Sequence, residues 1–143
     1  MRILVTGVDD DGRSCARFDT TPSFASNGAG YAFADVYATA VSPPPPRPPG
    51  NNRFIDLGIA PGLVRWILVD SEPGSTTPTH HTDTVDFEVV LDGSVELTLD
   101  DGVHELRAGD CIVMTGVDHA WKTGPQGCRL SVLSLGTPPP GSP

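Results

Sequence analysis

The 143-residue sequence lacks the features that several classes of protein require. It contains only nine Lys and Arg residues against eighteen Asp and Glu, which gives a formal net charge of -9. Because an acidic chain without a basic stripe repels phosphate backbones, we predict that it does not bind nucleic acid. It also has no apolar run near the roughly 18 residues that a membrane-spanning helix needs. We therefore expect a soluble protein without a membrane segment.

Cysteine is scarce as well. Cys15, Cys111 and Cys128 form an odd set without a CxxC pair, which favours reduced, buried thiols over a disulfide framework. The N-terminal MRILVTG meets Gly7 and the acidic DDDG too early for a secretory signal peptide. These features together predict a cytoplasmic protein.

The length of the chain and its many prolines and glycines predict one domain. A chain of this length buries one core and little more, and its fifteen prolines and sixteen glycines break it into short segments. The stretch SPPPPRPPG, residues 42–50, predicts an extended surface connection, with a ligand for an SH3-type domain as the alternative. We divide the single domain into an N-terminal part (1–49), a main part (50–136) and a disordered tail (137–143).

Apolar residues alternate with polar ones through much of the main part. In VELTLDDGVHEL, Val95, Leu97 and Leu99 fall on one face, and Asp101-Gly102 then precedes a second alternating run, which predicts a β-hairpin. The segments LVRWILVD, FEVVLDG, CIVM and RLSVLSL predict further strands. Many short strands joined by turn residues are typical of a β-sandwich or a small barrel, so the sequence predicts an all-β fold.

The N-terminal part is less regular. RILVTGVDDDGRSCARF predicts a strand, an acidic turn and a second strand, whereas GYAFADVYATA fits either loops or a short helix. We expect residues 1–49 to form strands and loops on the outside or at the edge of the barrel.

Two spaced motifs resemble the signature of the cupin superfamily, G-x5-H-x-H-x3-E-x6-G followed by a motif with Gly-Asp and one histidine. The first motif here consists of Gly74, His80, Thr82, Asp86 and Gly93, and the second is GDCIVMTGVDHAW, which contains His119. HHTDTVDF and GVDHAW are also similar to a group of small single-domain cupins that read H-x-T-x-T-x-D-[YF] and G-x-x-H-A-W. The opening VTGVDDDGRS resembles the start of that group.

The resemblance implies a double-stranded β-helix, which is a jelly-roll barrel whose mouth holds a small ligand and often a divalent metal ion. In typical cupins three histidines and a glutamate bind iron, manganese, nickel or zinc. Carried onto this sequence, His80 and His119 are kept, Thr82 replaces a histidine and Asp86 replaces the glutamate. The resemblance thus implies a metal site formed by His80, Asp86 and His119, the composition of a facial triad, with Thr82 as a hydrogen-bonding neighbour.

Strand alternation separates the two adjacent histidines. His80 and Thr82 point to one face and His81 to the other, so His81 cannot replace the missing ligand. Two alternatives to a metal site remain open. In one, His80 and His119 exchange protons with a substrate while Asp86 fixes a tautomer. In the other, the barrel binds a ligand passively.

Four further residues have predicted positions. Alternation places Glu88 inside, where burial would raise its pKa and suit a general acid, unless a twist or bulge takes it to solvent. Trp121 shares the parity of His119 and either lines the pocket beside it or packs in the core. We place Trp66 in the core and give His104 a structural role.

Two classes of function follow from the resemblance. The first is an enzyme that acts on a small carbonyl- or hydroxyl-bearing molecule of the polyketide or aromatic-catabolite kind. Its chemistry would be that of a lyase or isomerase (dehydration, decarboxylation or cyclisation), with an iron-dependent oxygenase as the alternative. The second is a non-catalytic module that binds a small molecule. The resemblance also implies a homodimer.

Overall fold

The computed structural model describes residues 1–26, 28–39, 41 and 50–141, and every regular element in these ranges is a β-strand. Residues 42–49 of the Pro-rich segment, which we predicted to be an extended connection, lie outside this description. Within it, no helix has the length and apolarity needed to cross a membrane. The strands are β1 (Ile3–Val8), β2 (Ser14–Thr20), β3 (Ala25–Ser26), β4 (Ala32–Phe33), β5 (Arg53–Phe54), β6 (Val64–Ser71), β7 (His80–His81), β8 (Thr84–Leu99), β9 (Gly102–Arg107), β10 (Cys111–Met114) and β11 (Ala120–Gly136).

Seven of these strands form one sheet in the order β2-β1-β10-β8-β11-β6, and β9 pairs with β8 beside this path. β1 and β10 are parallel, whereas the other neighbours in the sheet are antiparallel. Two small ribbons, β3-β4 and β5-β7, complete the fold. The predicted all-β jelly roll is confirmed.

Strand β8 changes its partner and its parity near Gly93. Its first half pairs with β10 and its second half with β9, while β11 pairs with both halves. Even-numbered residues are buried up to Val90, and odd-numbered ones are buried from Val95 onward. Gly93 has φ 72°, and a Cβ there would collide with the carbonyl oxygen of Gly127. Only glycine therefore lets the two strands meet at this switch.

The predicted hairpin is confirmed as β8-β9, but its turn lies one residue earlier than expected. Leu99 pairs with Gly102, so Asp100 and Asp101 form the turn. The Asp101 carboxylate accepts a hydrogen bond from the Ala16 amide and lies 2.7 Å from Nε2 of His104. These contacts tie the turn to β2, and His104 has the structural role that we assigned to it.

The N-terminal strands extend the sheet and also supply part of its core. β2 forms the edge of the sheet, as expected for the N-terminal part. In β1, Leu4 is fully buried in the main core, whereas Ile3 and Val5 belong to a second cluster on the opposite face, against which Tyr37 packs. Residues 1–20 are therefore part of the same folded unit as the barrel.

The prediction that Trp66 lies in the core is wrong. Its side chain is 74% exposed on β6, close to Leu68, which is 68% exposed. Strand alternation turns both side chains away from the interior, while Ile67 and Val69 between and beside them pack against the main core. The Trp66 ring satisfies its polar atom on the surface, since Nε1 donates to Oγ of Ser131 at 2.8 Å. All three cysteines are free thiols, as predicted.

We expect Leu4→Ala to lower the free energy of unfolding by about 2–5 kcal/mol, because it leaves a cavity in the main core. Leu68→Ala, at an exposed position of the same sheet, should change it by less than about 0.5 kcal/mol. Urea unfolding followed by circular dichroism measures both values. Equal and small effects would contradict the integration of β1 into the core.

Candidate functional site

The centre of the site is a pair of histidines that the two motifs bring directly opposite each other. His80 on β7 and His119, just before β11, form an isolated antiparallel bridge. The His80 amide donates to the carbonyl of His119 at 2.9 Å, and the His119 amide donates back to His80 at 2.8 Å. Their ring centroids are 4.3 Å apart. Both side chains are buried, so the backbone fixes the distance between the two imidazoles.

Backbone carbonyls fix the orientation of both rings. Nδ1 of His80 lies 2.9 Å from the carbonyl oxygen of Pro78, and Nδ1 of His119 lies 2.7 Å from that of Val117. Because a carbonyl oxygen can only accept, each Nδ1 carries a proton, and Nε2 is the basic nitrogen of each neutral ring. Backbone carbonyls thus set the tautomers of both rings. The metal-free alternative assigns this role to Asp86 instead.

Two carboxyl groups lie inside the same cavity. Asp86 and Glu88 occupy alternate positions of β8 and have relative exposures of only 7% and 6%. Oδ1 of Asp86 and Oε2 of Glu88 are buried without a hydrogen-bond partner. The inward position of Glu88 follows from unbroken alternation, and the bulge that would have taken it to solvent is not found before Val90.

Burial changes the acidity of both carboxyl groups. It raises the pKa of Glu88 to about 8, and the neighbouring charge of Asp86 adds to the rise. It also raises the pKa of Asp86, against which hydrogen bonds from Ser134 and Thr84 act. A carboxyl group whose pKa lies near 8 is protonated at neutral pH and can act as an acid there.

The predicted site residues all line one cavity of about 240 Å³. The Trp121 ring meets His119 edge-on at 5.8 Å between centroids. Thr82 is buried, and its hydroxyl lies 3.0 Å from that of Thr84. The residues brought together are His80, Thr82, Asp86, Glu88, His119 and Trp121.

His81 points away from this cavity, as strand alternation predicted. Its Nδ1 lies 3.4 Å from Oδ1 of Asp118, and its ring contacts Phe54 at 5.6 Å between centroids. Asp118 is buried and accepts hydrogen bonds from the amides of Asn51 and Asn52. This second pair therefore anchors the segment that enters β5.

Sequence reasoning missed several residues of the cavity wall. Cys128, Leu130 and Val132 of β11 line the cavity, and their even parity within CRLSVLSL could have placed them together on the inner face. Leu57 also lines it from the segment after β5. No local pattern of residues 50–62 indicates this contact, because it depends on the parallel pairing of β5 with β7.

The arrangement of the His, Asp and Glu side chains decides whether the site fits a metal ion. Nδ1–carbonyl contacts of this kind are typical of metal-ligating histidines. However, the parts of the chain that the structure describes contain no group of three His, Cys, Asp or Glu residues placed to hold a metal ion. As arranged, the residues do not fit a three-ligand site. Metal binding by His80, Asp86 and His119 therefore stays a prediction.

Comparison with known proteins agrees with this architecture. Phomopsin biosynthesis cluster protein C' of Diaporthe leptostromiformis is 41% identical over 63 residues, which cover 43% of this chain and 33% of that protein. Oryzines biosynthesis cluster protein J of Aspergillus oryzae is 42% identical over 61 residues, 42% of this chain and 33% of that protein. Cupin-domain-containing oxidoreductase fogC of Aspergillus ruber is 34% identical over 127 residues, 82% of this chain and 61% of that protein.

The chain thus matches about a third of the length of the first two relatives and about three fifths of the third. Residues 67–134 match the family model described as "Cupin domain". That range holds both histidines, both buried carboxyl groups and Trp121. Together with the all-β fold, the match shows that this chain carries a small cupin domain.

Proposed function

We propose that this chain belongs to an enzyme that moves protons on a small carbonyl- or hydroxyl-bearing molecule, in lyase or isomerase chemistry such as dehydration, decarboxylation or cyclisation. The observation that carries the proposal is the Glu88 carboxyl group. It is buried in the cavity that both histidines line, and its Oε2 has no partner in the protein. A buried carboxyl oxygen without a hydrogen-bond partner lowers the stability of the fold. A contact with a ligand explains the presence of Glu88 at this position better than packing does.

Glu88 is the acid of this proposal. With a pKa raised to about 8, it carries a proton at neutral pH that it can give to a leaving hydroxyl group or to a carbonyl oxygen. The apolar side chains of Trp121, Val95 and Leu130 line the same cavity, and apolar surroundings strengthen hydrogen bonds to the reacting group.

His80 or His119 is the base. Each ring keeps Nε2 as its basic nitrogen, because Nδ1 is held by a backbone carbonyl. In a dehydration, Nε2 takes a proton from the carbon next to a carbonyl group while Glu88 protonates the departing hydroxyl, so that water and an alkene form. The fixed bridge between the two rings holds the base in place without reorganisation.

The relatives support a substrate from small-molecule biosynthesis. Two of them are named for the phomopsin and oryzines biosynthesis clusters. Because only a third of each relative is matched, this support concerns the class of substrate and not a particular reaction.

An oxidoreductase is the second candidate. It is favoured by the relative matched over 82% of this chain, whose name is cupin-domain-containing oxidoreductase. An iron-dependent oxygenase would consume dioxygen when iron(II) and a hydroxy-ketone are added to the purified protein, whereas proton transfer would not. Oxygen uptake that disappears in His80→Ala would replace our proposal by this one.

We expect Glu88→Gln to lower turnover of a reactive hydroxy-ketone by about 10²–10⁴-fold, because it removes the proton donor and keeps the shape. Turnover is measured as dehydrated product, and as deuterium incorporated next to the carbonyl group from D₂O, across a panel of hydroxy-ketones. The matched control is Glu96→Gln, on the same strand but in a surface pair with Lys122 at 3.1 Å, which should leave turnover unchanged. A protein that binds such compounds without any Glu88-dependent turnover would be a binding module.

Glu88 should also make stability fall as the pH rises. The pKa of its carboxyl group is about 8 in the folded protein against an ordinary value of 4.5. Between these two pH values the folded state therefore binds more protons than the unfolded state does. The contribution of Glu88 to the free energy of unfolding is complete below about pH 4.5 and is lost by about pH 8. We expect the urea midpoint to fall less between pH 5.5 and pH 8 in Glu88→Gln than in the wild type. Parallel falls in both proteins would show that Glu88 is ionised in the fold.

A further inference from the structure

Two carboxyl groups line the cavity from one strand. Asp86 Oδ1 and Glu88 Oε2 are both buried without a hydrogen-bond partner, on side chains more than nine-tenths buried. The two residues are separated by one position on β8, so their Cα atoms lie about 6.5 Å apart on the same face. Buried acceptors of this kind are satisfied in nearly all proteins. A ligand with two donors at matching positions would satisfy both at once.

The charges around the cavity disfavour an acidic ligand. Among the residues that the structure describes, no Lys or Arg lines the cavity. Lys122 and Arg129, which lie on β11, are paired at the surface with Glu96 and Asp70. A carboxylate entering the cavity would therefore join two buried carboxyl groups without a fixed positive charge to balance it.

Apolar side chains line much of the rest of the cavity, beside several Ser and Thr hydroxyl groups. Trp121, Val95, Leu130 and Val132 surround the carboxyl groups within the small cavity of about 240 Å³. Aromatic and branched side chains of this kind favour a ring over a long flexible chain.

From these observations we propose that the cavity takes an uncharged ring compound with two hydroxyl groups, one bonded to the carboxyl group of Asp86 and the other to that of Glu88. A hydroxyl group can donate and accept, so it suits the Glu88 carboxyl in either protonation state. This substrate class rests on the proposed function for its site. It narrows the chemistry to dehydration or cyclisation, because decarboxylation requires an acidic substrate.

The test is a series of four meta-disubstituted benzenes, bound to the full chain at pH 7 and followed by ligand-observed NMR. Resorcinol has two hydroxyl groups, 3-methoxyphenol one, 1,3-dimethoxybenzene none, and 3-hydroxybenzoate replaces one by a carboxylate. We expect the dissociation constant to rise by about 5–10-fold for each hydroxyl group removed, and to be highest for 3-hydroxybenzoate or the dimethyl ether. Equal binding of the first three compounds, or tightest binding of 3-hydroxybenzoate, would overturn the proposal, as would the absence of any binding.

Glu88→Leu locates one of the two bonds. In this variant the dissociation constant of 3-methoxyphenol should exceed that of resorcinol by less than about twofold, instead of about 5–10-fold. Glu96→Gln should leave this ratio unchanged. An unchanged ratio in Glu88→Leu would show that the hydroxyl groups bind elsewhere. These experiments measure binding and not turnover. Binding of dihydroxy rings can therefore be found in a protein without Glu88-dependent proton transfer, and it can be absent from a protein that shows such transfer.

Discussion

The site depends on the alternation of side chains along β8. One unbroken stretch of this strand, from Thr84 to Val90, turns Asp86 and Glu88 inward together. The parity then reverses near Gly93, so that Val95 and Leu97 also face the interior. Without that reversal the second half of β8 would present its polar residues to the core, and the carboxyl groups would lack their apolar surroundings. The raised pKa of Glu88 is thus a consequence of strand geometry.

The two histidines enter this environment through a backbone bridge and not through their side chains. Reciprocal amide–carbonyl bonds between His80 and His119 join β7 to the start of β11, and further carbonyls hold the rings. The proposed proton transfer would use a histidine that the main chain holds in place and a carboxyl group that burial makes a weaker acid.

Much of this arrangement could be predicted from sequence, because period-two alternation and motif spacing are local properties. They gave the all-β fold, the opposite directions of His80 and His81, and the inward option for Glu88. Three features depend on long-range contacts and could not be predicted from the local sequence pattern. Trp66 lies in an apolar run but faces outward, Leu57 reaches the cavity through the β5-β7 pairing, and the hairpin turn moved by one residue because Asp100 and Asp101 bind β2.

The proposed proton transfer requires that the Glu88 carboxyl group be protonated in the cavity at neutral pH. Carbon-13 NMR titration of the side-chain carboxyl carbons, with the Glu88 signal assigned by its loss in Glu88→Gln, measures this directly. We expect a midpoint of about 8 for Glu88 in the ligand-free protein. A midpoint near the ordinary value of 4.5 would contradict it, since Glu88 would then be a buried anion with no proton to give.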